Sequence, residues 1–279
     1  MEVYQIESNK LSWYKTRHSF SRVVDVKCSE DFFEAIAYAK NNSQKVYALG
    51  NGSNTFFKRK NIQTLILNNC LPKEFEELEP EKYRVSSSYK VNKLLRQLYA
   101  KGLDGPYNLA SVPATVGGAV AMNAGTGKCE GLYIEKYIKE VTFWKDGQTH
   151  TLPTDQLEFG FRRSIFSEGD DSFIVSVCFE FPSKQFSENP ILKRLDWAKV
   201  NQDLTKPNCG SVWRIYNGRL LKFVASFFRW TPAFFSKKSP IWITNESESP
   251  FTLRVILLCV RAIHRVVNKR CEEEIRIVD

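Results

Sequence analysis

Apolar and polar positions change period several times along the chain, and each change marks an element. Over residues 31–40, DFFEAIAYAK, the residues Phe32, Phe33, Ile36 and Ala37 fall on one face at helical spacing, which predicts a helix with Ser29 as its N-cap. Residues 45–49 form a β-rich run that breaks at Gly50, and residues 63–67 repeat the pattern, so two strands are expected. Residues 91–101, VNKLLRQLYAK, return to the helical period and stop at Gly102. A stretch rich in glycine and alanine follows over residues 102–127. Residues 141–144 and 173–181 read as strands, the first running into the turn Lys145-Asp146-Gly147. Residues 254–268 predict a helix. Residues 274–278 predict a closing strand that carries Glu274, Arg276 and Val278 on one face. Strand–helix–strand order through residues 22–67 argues for an α/β or α+β chain.

Composition narrows this picture. The 279 residues suffice for about two domains, and 43% apolar with 25% charged residues is a globular profile that excludes disorder, collagen-like repeats and coiled coil. No apolar run approaches the ~20 residues of a membrane span, and no secretory leader is visible at the start. The polar, Pro-bounded residues 181–190 mark a domain boundary. Seven scattered cysteines without a CxxC pair point to free thiols in a reducing compartment, and with three histidines in the chain no metal site is expected.

Charge is uneven. Residues 191–270 hold 15 Lys and Arg against 4 Asp and Glu, whereas residues 1–190 hold 24 against 23. A basic second half implies an anionic partner, either a phosphorylated small molecule, a nucleic acid or an acidic surface; the alternative is a solvated basic face.

Five constellations carry candidate chemistry. Gly50-Asn51-Gly52-Ser53-Asn54 follows a strand directly, and its glycines let backbone N–H groups turn into one concavity that suits a pyrophosphate. It is not a Rossmann fingerprint, since the third glycine is missing, and a tight turn between strands remains the alternative. The small residues of 102–127 allow close backbone approach to an extended ligand or form a packing seam; Cys129 after Gly127-Lys128 excludes a P-loop. In Phe159-Gly160-Phe161-Arg162-Arg163-Ser164-Ile165-Phe166 a guanidinium is either solvated or held for a carboxylate or phosphate. Ser211, in Cys209-Gly210-Ser211-Val212-Trp213-Arg214, lacks a neighbouring histidine and is no evident acyl-transfer nucleophile, although its hydroxyl can serve as a proton donor. Glu272-Glu273-Glu274-Ile275-Arg276 reads as a salt-bridged strand edge or, with help from elsewhere, as a catalytic carboxylate.

The order and spacing of these five elements resemble the MurB family, the FAD-dependent UDP-N-acetylenolpyruvoylglucosamine reductases of peptidoglycan synthesis, within the PCMH-type FAD-binding group. The family's LGGGSN is Leu49-Gly50-Asn51-Gly52-Ser53-Asn54 here. Its IPGTVGGAVxMNAG is matched by residues 112–125, VPATVGGAVAMNAG, and its FxYRxSxF by residues 159–166. GSxFK is similar to residues 210–214, and the terminal EPEVR to residues 272–276. The resemblance implies an α+β protein with a two-part PCMH-type FAD-binding domain over residues 1–188 and a MurB C-terminal-like substrate domain over residues 189–279. It implies noncovalent FAD held by Gly50, Asn51, Gly52, Ser53, Asn54, Ser111, Val112, Pro113, Ala114, Thr115, Gly117, Gly118, Asn123 and Gly125. NADPH would be the co-substrate that reduces the flavin, and an enolpyruvyl UDP-sugar the acceptor, contacted by Arg214, Lys238 and Asn245. Arg162 and Glu274 would stabilise the charge that develops on the acceptor, and Ser211 would supply the proton. A cytoplasmic monomer that binds no nucleic acid is implied as well.

The departures from the family pattern cluster on the substrate side. The early YTTxxxGG is residues 14–20 here without the double glycine, Ala114 replaces a glycine and Phe161 a tyrosine. Ile215-Tyr216 stand where the family has Asn-Pro. AGxLIE is residues 217–222, ending in Lys222, and SxKHANFxxN is residues 236–245 without its histidine and inner asparagine. Better-kept flavin elements imply a relative acting on a different nucleotide sugar, or a divergent non-catalytic flavin- or nucleotide-binding protein. A basic nucleic-acid binder using Trp197, Trp213, Trp230 and Trp242 is the third reading.

Overall fold

In a computed structural model, which describes residues 1–126, 131–167 and 171–279, the chain alternates short strands with six α-helices. In order these are β1 (Tyr4–Ser8), β2 (His18–Val26), α1 (Ser29–Asn41), β3 (Val46–Leu49), β4 (Thr55–Phe57), β5 (Asn61–Ile62), β6 (Leu65–Asn69), β7 (Phe75–Glu79) and β8 (Lys82–Ser86). There follow α2 (Val91–Ala100), α3 (Val116–Ala121), β9 (Gly125–Thr126), β10 (Leu132–Tyr133), β11 (Ile138–Lys145), β12 (Gln148–Pro153) and β13 (Phe173–Glu180). The last part holds α4 (Pro190–Asn201), β14 (Trp213–Ile215), α5 (Gly218–Phe227), β15 (Ala233–Phe235), β16 (Ile243–Asn245), α6 (Phe251–Val266), β17 (Glu272–Glu273) and β18 (Arg276–Val278). The end of the small-residue stretch at Gly127, together with Cys129, lies outside the described residues.

Two compact units are formed from interleaved segments. The first takes Met1–Tyr4, Val23–Asn51 and Leu65–Trp197, and the second takes Gln5–Arg22, Gly52–Thr64 and Ala198–Asp279.

The first unit contains two sheets. In one, residues 23–26 of β2 and the whole of β3 pair in parallel with the central β6, with Val23 opposite Ile66 and Val46 opposite Leu65. Parallel strands need a crossover. Helix α1 provides it, burying Phe32, Ala35 and Ala39 against Val24, Val26, Leu65 and Leu67. Cys28, not Ser29, occupies the N-cap position of α1, and no side chain caps there. The carboxylate of Asp31 reaches back instead to accept from the Lys27 N–H at 3.0 Å, which anchors the first turn without Ser29.

The second sheet of this unit is antiparallel, in the order β12-β11-β13-β8-β7. The turn between β11 and β12 places Asp146 at φ 49° and Gly147 at φ 75°, the double left-handed pair of a tight hairpin. Against this sheet pack Leu94, Leu95 and Leu98 of α2 and Val116, Ala119 and Val120 of α3. Gly102 closes α2 at φ 66°, as its sequence position predicts.

The second unit is built around α5 and α6, whose inward residues Leu221, Val224, Leu253, Ile256, Leu257 and Val260 share a core with Trp213, Phe235 and Ile275. Strand pairs β14–β17, β15–β16 and β4–β18 fasten its loops. Helix α6 begins at Phe251, three residues earlier than its periodicity predicts, because Pro250 fits the N-cap position where no N–H is needed. A closing strand over 274–278 does not form. Glu272 and Glu273 pair antiparallel with β14, whereas residues 276–278 pair in parallel with β4. Glu274 lies in the link where the chain changes partner, so it shares no strand face with Arg276 and Val278. The tryptophans also divide: Trp213 is core, stacked on Phe235 at 5.8 Å, while Trp197 and Trp230 are exposed.

Candidate functional site

In the first unit, the end of β3 delivers Gly50 and Asn51 beside the loop of residues 111–118. A Cβ placed on Gly50 would stand 2.7 Å from Thr115 Oγ1, and one on Gly117 would stand 2.8 Å from Ser87 Cβ. Both positions therefore require glycine for close backbone approach. Thr115 caps α3 by accepting from the Gly118 N–H at 3.3 Å, and the Gly117 N–H donates to Ser87 O at 2.8 Å. Asn51 ties the two sides together: its Nδ2 donates to Pro113 O, while its Oδ1 accepts from Lys90 Nζ. Lys90 is half-buried, and desolvation lowers its pKa, with the nearby Lys73 adding to the effect. The methyl of Ala114 packs against the unit's apolar core. Ser111 Oγ accepts from Arg194 Nε at 3.3 Å, and the Val112 N–H donates to Leu109 O.

Asn123, buried and at φ 40°, donates through Nδ2 to Glu135 Oε2 at 2.7 Å and to Gly160 O at 3.1 Å. Its Oδ1 is buried without a hydrogen-bond partner. Arg162 approaches the same segment, donating through Nη2 to Gly125 O at 2.7 Å and through Nη1 to Asn123 O at 3.4 Å. Arg162 itself sits at φ 56°, in the left-handed region that costs a side-chain-bearing residue. Gly125 is sterically required, because a Cβ there would lie 2.4 Å from Leu132 O across the β9–β10 pair.

In the second unit, Gly52 at φ 66° lies so close to Leu11 that a Cβ would stand 2.2 Å from its carbonyl oxygen. Ser53 is half-buried. Asn54 holds the terminal segment, donating through Nδ2 to Glu274 O at 3.1 Å and accepting from the Arg276 N–H at 2.9 Å. The Glu274 N–H donates in turn to Val212 O at 2.7 Å. Ser211 is one residue away in sequence, half-buried and bridged through its backbone to Trp242. Val212 and Glu274 are thus joined within this unit by a main-chain hydrogen bond, with Ser211 next in sequence.

The three residues expected to contact substrate have partners of their own. Arg214 Nε pairs with Glu272 Oε2 at 3.2 Å. Lys238 Nζ donates to Lys199 O at 2.6 Å and Gln202 O at 2.8 Å, where it caps the C-terminal end of α4. Asn245 is 2% exposed and donates to Tyr14 O at 2.8 Å. Sequence reasoning did not single out Lys90, Ser87 or Glu135. None has a distinctive neighbour in sequence, and each gains significance through a partner 12 to 39 residues away.

Comparison with known proteins gives a consistent result. The family model described as an FAD binding domain matches residues 20–152. The UDP-N-acetylenolpyruvoylglucosamine reductase of Aquifex aeolicus is 28% identical over 257 residues, covering 88% of this chain and 84% of that protein. The reductase of the same name from Bacillus licheniformis is 26% identical over 193 residues, 68% of this chain but 62% of that protein's length. Among solved structures, UDP-N-acetylenolpyruvylglucosamine reductase (MurB) from Thermus caldophilus superposes with a TM-score of 0.78 at 22% identity, covering 100% of both chains. The FAD-domain match and these relatives agree with the fold: the chain is similar to the MurB reductases in sequence and architecture, and its residues 20–152 match an FAD binding domain.

Proposed function

We propose that the chain is an FAD-dependent reductase of the MurB type, passing hydride from NADPH to an enolpyruvyl UDP-sugar or a related nucleotide sugar. The juxtaposition of two small-residue loops carries this reading: Gly50 packs so closely on the Thr115–Gly118 turn that a Cβ would stand 2.7 Å from Thr115 Oγ1, which brings both backbones to one place. Lys90 supplies a cation beside Asn51, and the unpartnered Oδ1 of Asn123 offers a buried acceptor. Such residues fit FAD: Gly50, Asn51, Lys90, Thr115 and Gly118 would hold its pyrophosphate. When bound, FAD would supply the two-electron chemistry that links NADPH to the acceptor.

The roles of the chain's own residues follow from their chemistry. The Arg162 guanidinium, fixed by the carbonyls of Asn123 and Gly125, needs no reorganisation to attract a developing negative charge. Ser211 keeps a half-buried hydroxyl that can donate a proton to carbon. Glu274 is held by its backbone from both sides, through Asn54 and Val212, which fixes where its carboxylate begins. Residues within 1–188 then hold the cofactor and residues within 189–279 the acceptor, with the segments 5–22 and 52–64 built into the second unit.

A non-catalytic flavin protein is the second reading, favoured by Lys238 and Asn245 bonding internally to backbone carbonyls. One experiment separates the two. Purified protein is scanned in the visible range, its cofactor identified after heat release, and NADPH added under anaerobic conditions. Bound FAD that NADPH bleaches, and that a UDP-enolpyruvyl sugar reoxidises, is the expected result. FAD that NADPH leaves oxidised selects the second reading, and protein that takes up no FAD overturns both.

A further inference from the structure

Helix α5 carries apolar residues on two opposite faces, and the core accounts for one of them. Leu221 and Val224 point inward with Phe228 of the following turn, as an amphipathic helix requires. On the other face, residues 219, 222, 223, 226 and 227 recur at helical spacing, and Trp230 follows in the turn after the helix. Phe223 is 54% exposed there, Phe227 67% and Trp230 96%. Phe223 and Phe227 pack edge-to-face on each other, 5.2 Å between ring centroids, and form a continuous apolar ridge. Arg219, Lys222 and Arg229 flank it, all exposed, and none makes an ion pair among the described residues. The surrounding sequence is consistent: no Asp or Glu occurs from residue 204 to residue 245, a stretch with seven Lys and Arg.

From this we infer that the outer face of α5 docks the protein onto an anionic lipid surface. Charge complementarity selects the occupant. A second copy of the chain meeting this face symmetrically would set like cations against like cations, so self-association is opposed. A nucleic acid needs ring faces open for stacking along a groove, whereas these two phenylalanines turn edge and face toward each other on a convex helix. A bilayer interface accepts such a ridge. A helix lying flat sinks its aromatics to the level of the acyl boundary, its cations meet the headgroup phosphates, and tryptophan settles at the interface. The ten residues of α5 give a contact about 15 Å long, enough for reversible attachment and far short of a span.

Flotation with vesicles tests this on the full-length protein. Phosphatidylcholine vesicles with about 30 mol% phosphatidylglycerol are compared with phosphatidylcholine alone at about 0.1 M salt. The protein is expected on the anionic vesicles and not on the neutral ones. Phe227→Ser combined with Trp230→Ser should weaken binding about tenfold or more, and Lys222→Glu with Arg229→Glu comparably, with circular dichroism unchanged. Brominated lipid in the anionic vesicles should quench wild-type tryptophan fluorescence through Trp230, a readout that needs no variant. Equal binding to both vesicles, binding that survives loss of the two aromatics, or absence of quenching overturns the inference. A single-stranded oligonucleotide held more tightly than the vesicles through the same residues would assign the face to nucleic acid. A dimer that dissolves in the aromatic variant would assign it to a second copy.

Discussion

Lys90 donates a hydrogen bond to the side-chain oxygen of Asn51, across 39 residues of sequence. The contact orients a half-buried ammonium toward the glycine loop that ends β3. Such an ammonium is well placed to neutralise a diphosphate and poorly placed to be satisfied by water.

Replacing Lys90 by Met should therefore weaken FAD binding about tenfold or more, as loss of one charge-assisted contact implies. Burial lowers the Lys90 pKa, so its charge is lost at a lower pH than that of an ordinary lysine. FAD affinity should decline as pH rises through the alkaline range in the wild type and stay flatter in Lys90→Arg. Titration of FAD fluorescence at several pH values checks both outcomes.

Gly50 and Thr115 should behave as a coupled pair. An alanine at 50 presses its methyl on Thr115 Oγ1, which must rotate and release the cap on α3. A lost cap costs about 1 kcal/mol. Gly50→Ala should thus cost more in the wild type than in a Thr115→Ala background, where the clash is gone. Denaturant unfolding of the double-mutant cycle measures the difference, and strict additivity would remove the assigned coupling.

Arg162 separates stability from turnover. Glycine tolerates the left-handed backbone at this position and alanine does not. Arg162→Gly should be more stable than Arg162→Ala by about 1 kcal/mol, while both lose turnover about 100-fold or more with FAD still bound. Glu274→Gln should also lower turnover and retain FAD. Thermal melts together with steady-state rates test this, and unchanged rates in the Arg162 and Glu274 variants would remove their roles.

His18 should make stability depend on pH. It is buried between Arg59 O, 2.6 Å from Nδ1, and Thr16 Oγ1, 2.7 Å from Nε2. A neutral ring with Nδ1–H donating to the carbonyl and Nε2 accepting from the hydroxyl satisfies both contacts. Burial lowers its pKa below the ordinary value, against the opposing pull of the Arg59 carbonyl. The unfolded chain then binds the proton first as pH falls. Stability should drop between the ordinary histidine pKa of about 6.5 and the lower folded value, by at most about 1.4 kcal/mol per pH unit. Denaturant midpoints across that range should slope in the wild type and flatten in His18→Asn.

Much of this protein was legible from its residues alone. Helical spacing located α1 and α2, Asp146-Gly147 located a hairpin, and residues 49–54, 112–125 and 159–166 carried the resemblance to the MurB family. These features are local: a helix face, a tight turn or a glycine loop is encoded within a few consecutive residues. Other features depended on partners distant in the chain. Glu274 left its expected strand because residues 272–273 and 276–278 pair with different neighbours, β14 and β4. Lys238, read as a substrate ligand, caps α4, and Asn245 bonds to Tyr14. Lys90 became notable through Asn51, and segments 5–22 and 52–64 joined a unit otherwise formed by residues 198–279. Periodicity records which way a side chain faces, but not what it meets there. Residues far apart in sequence satisfy each other's polar groups only once the chain has packed, and that packing decided which candidate side chains were already engaged.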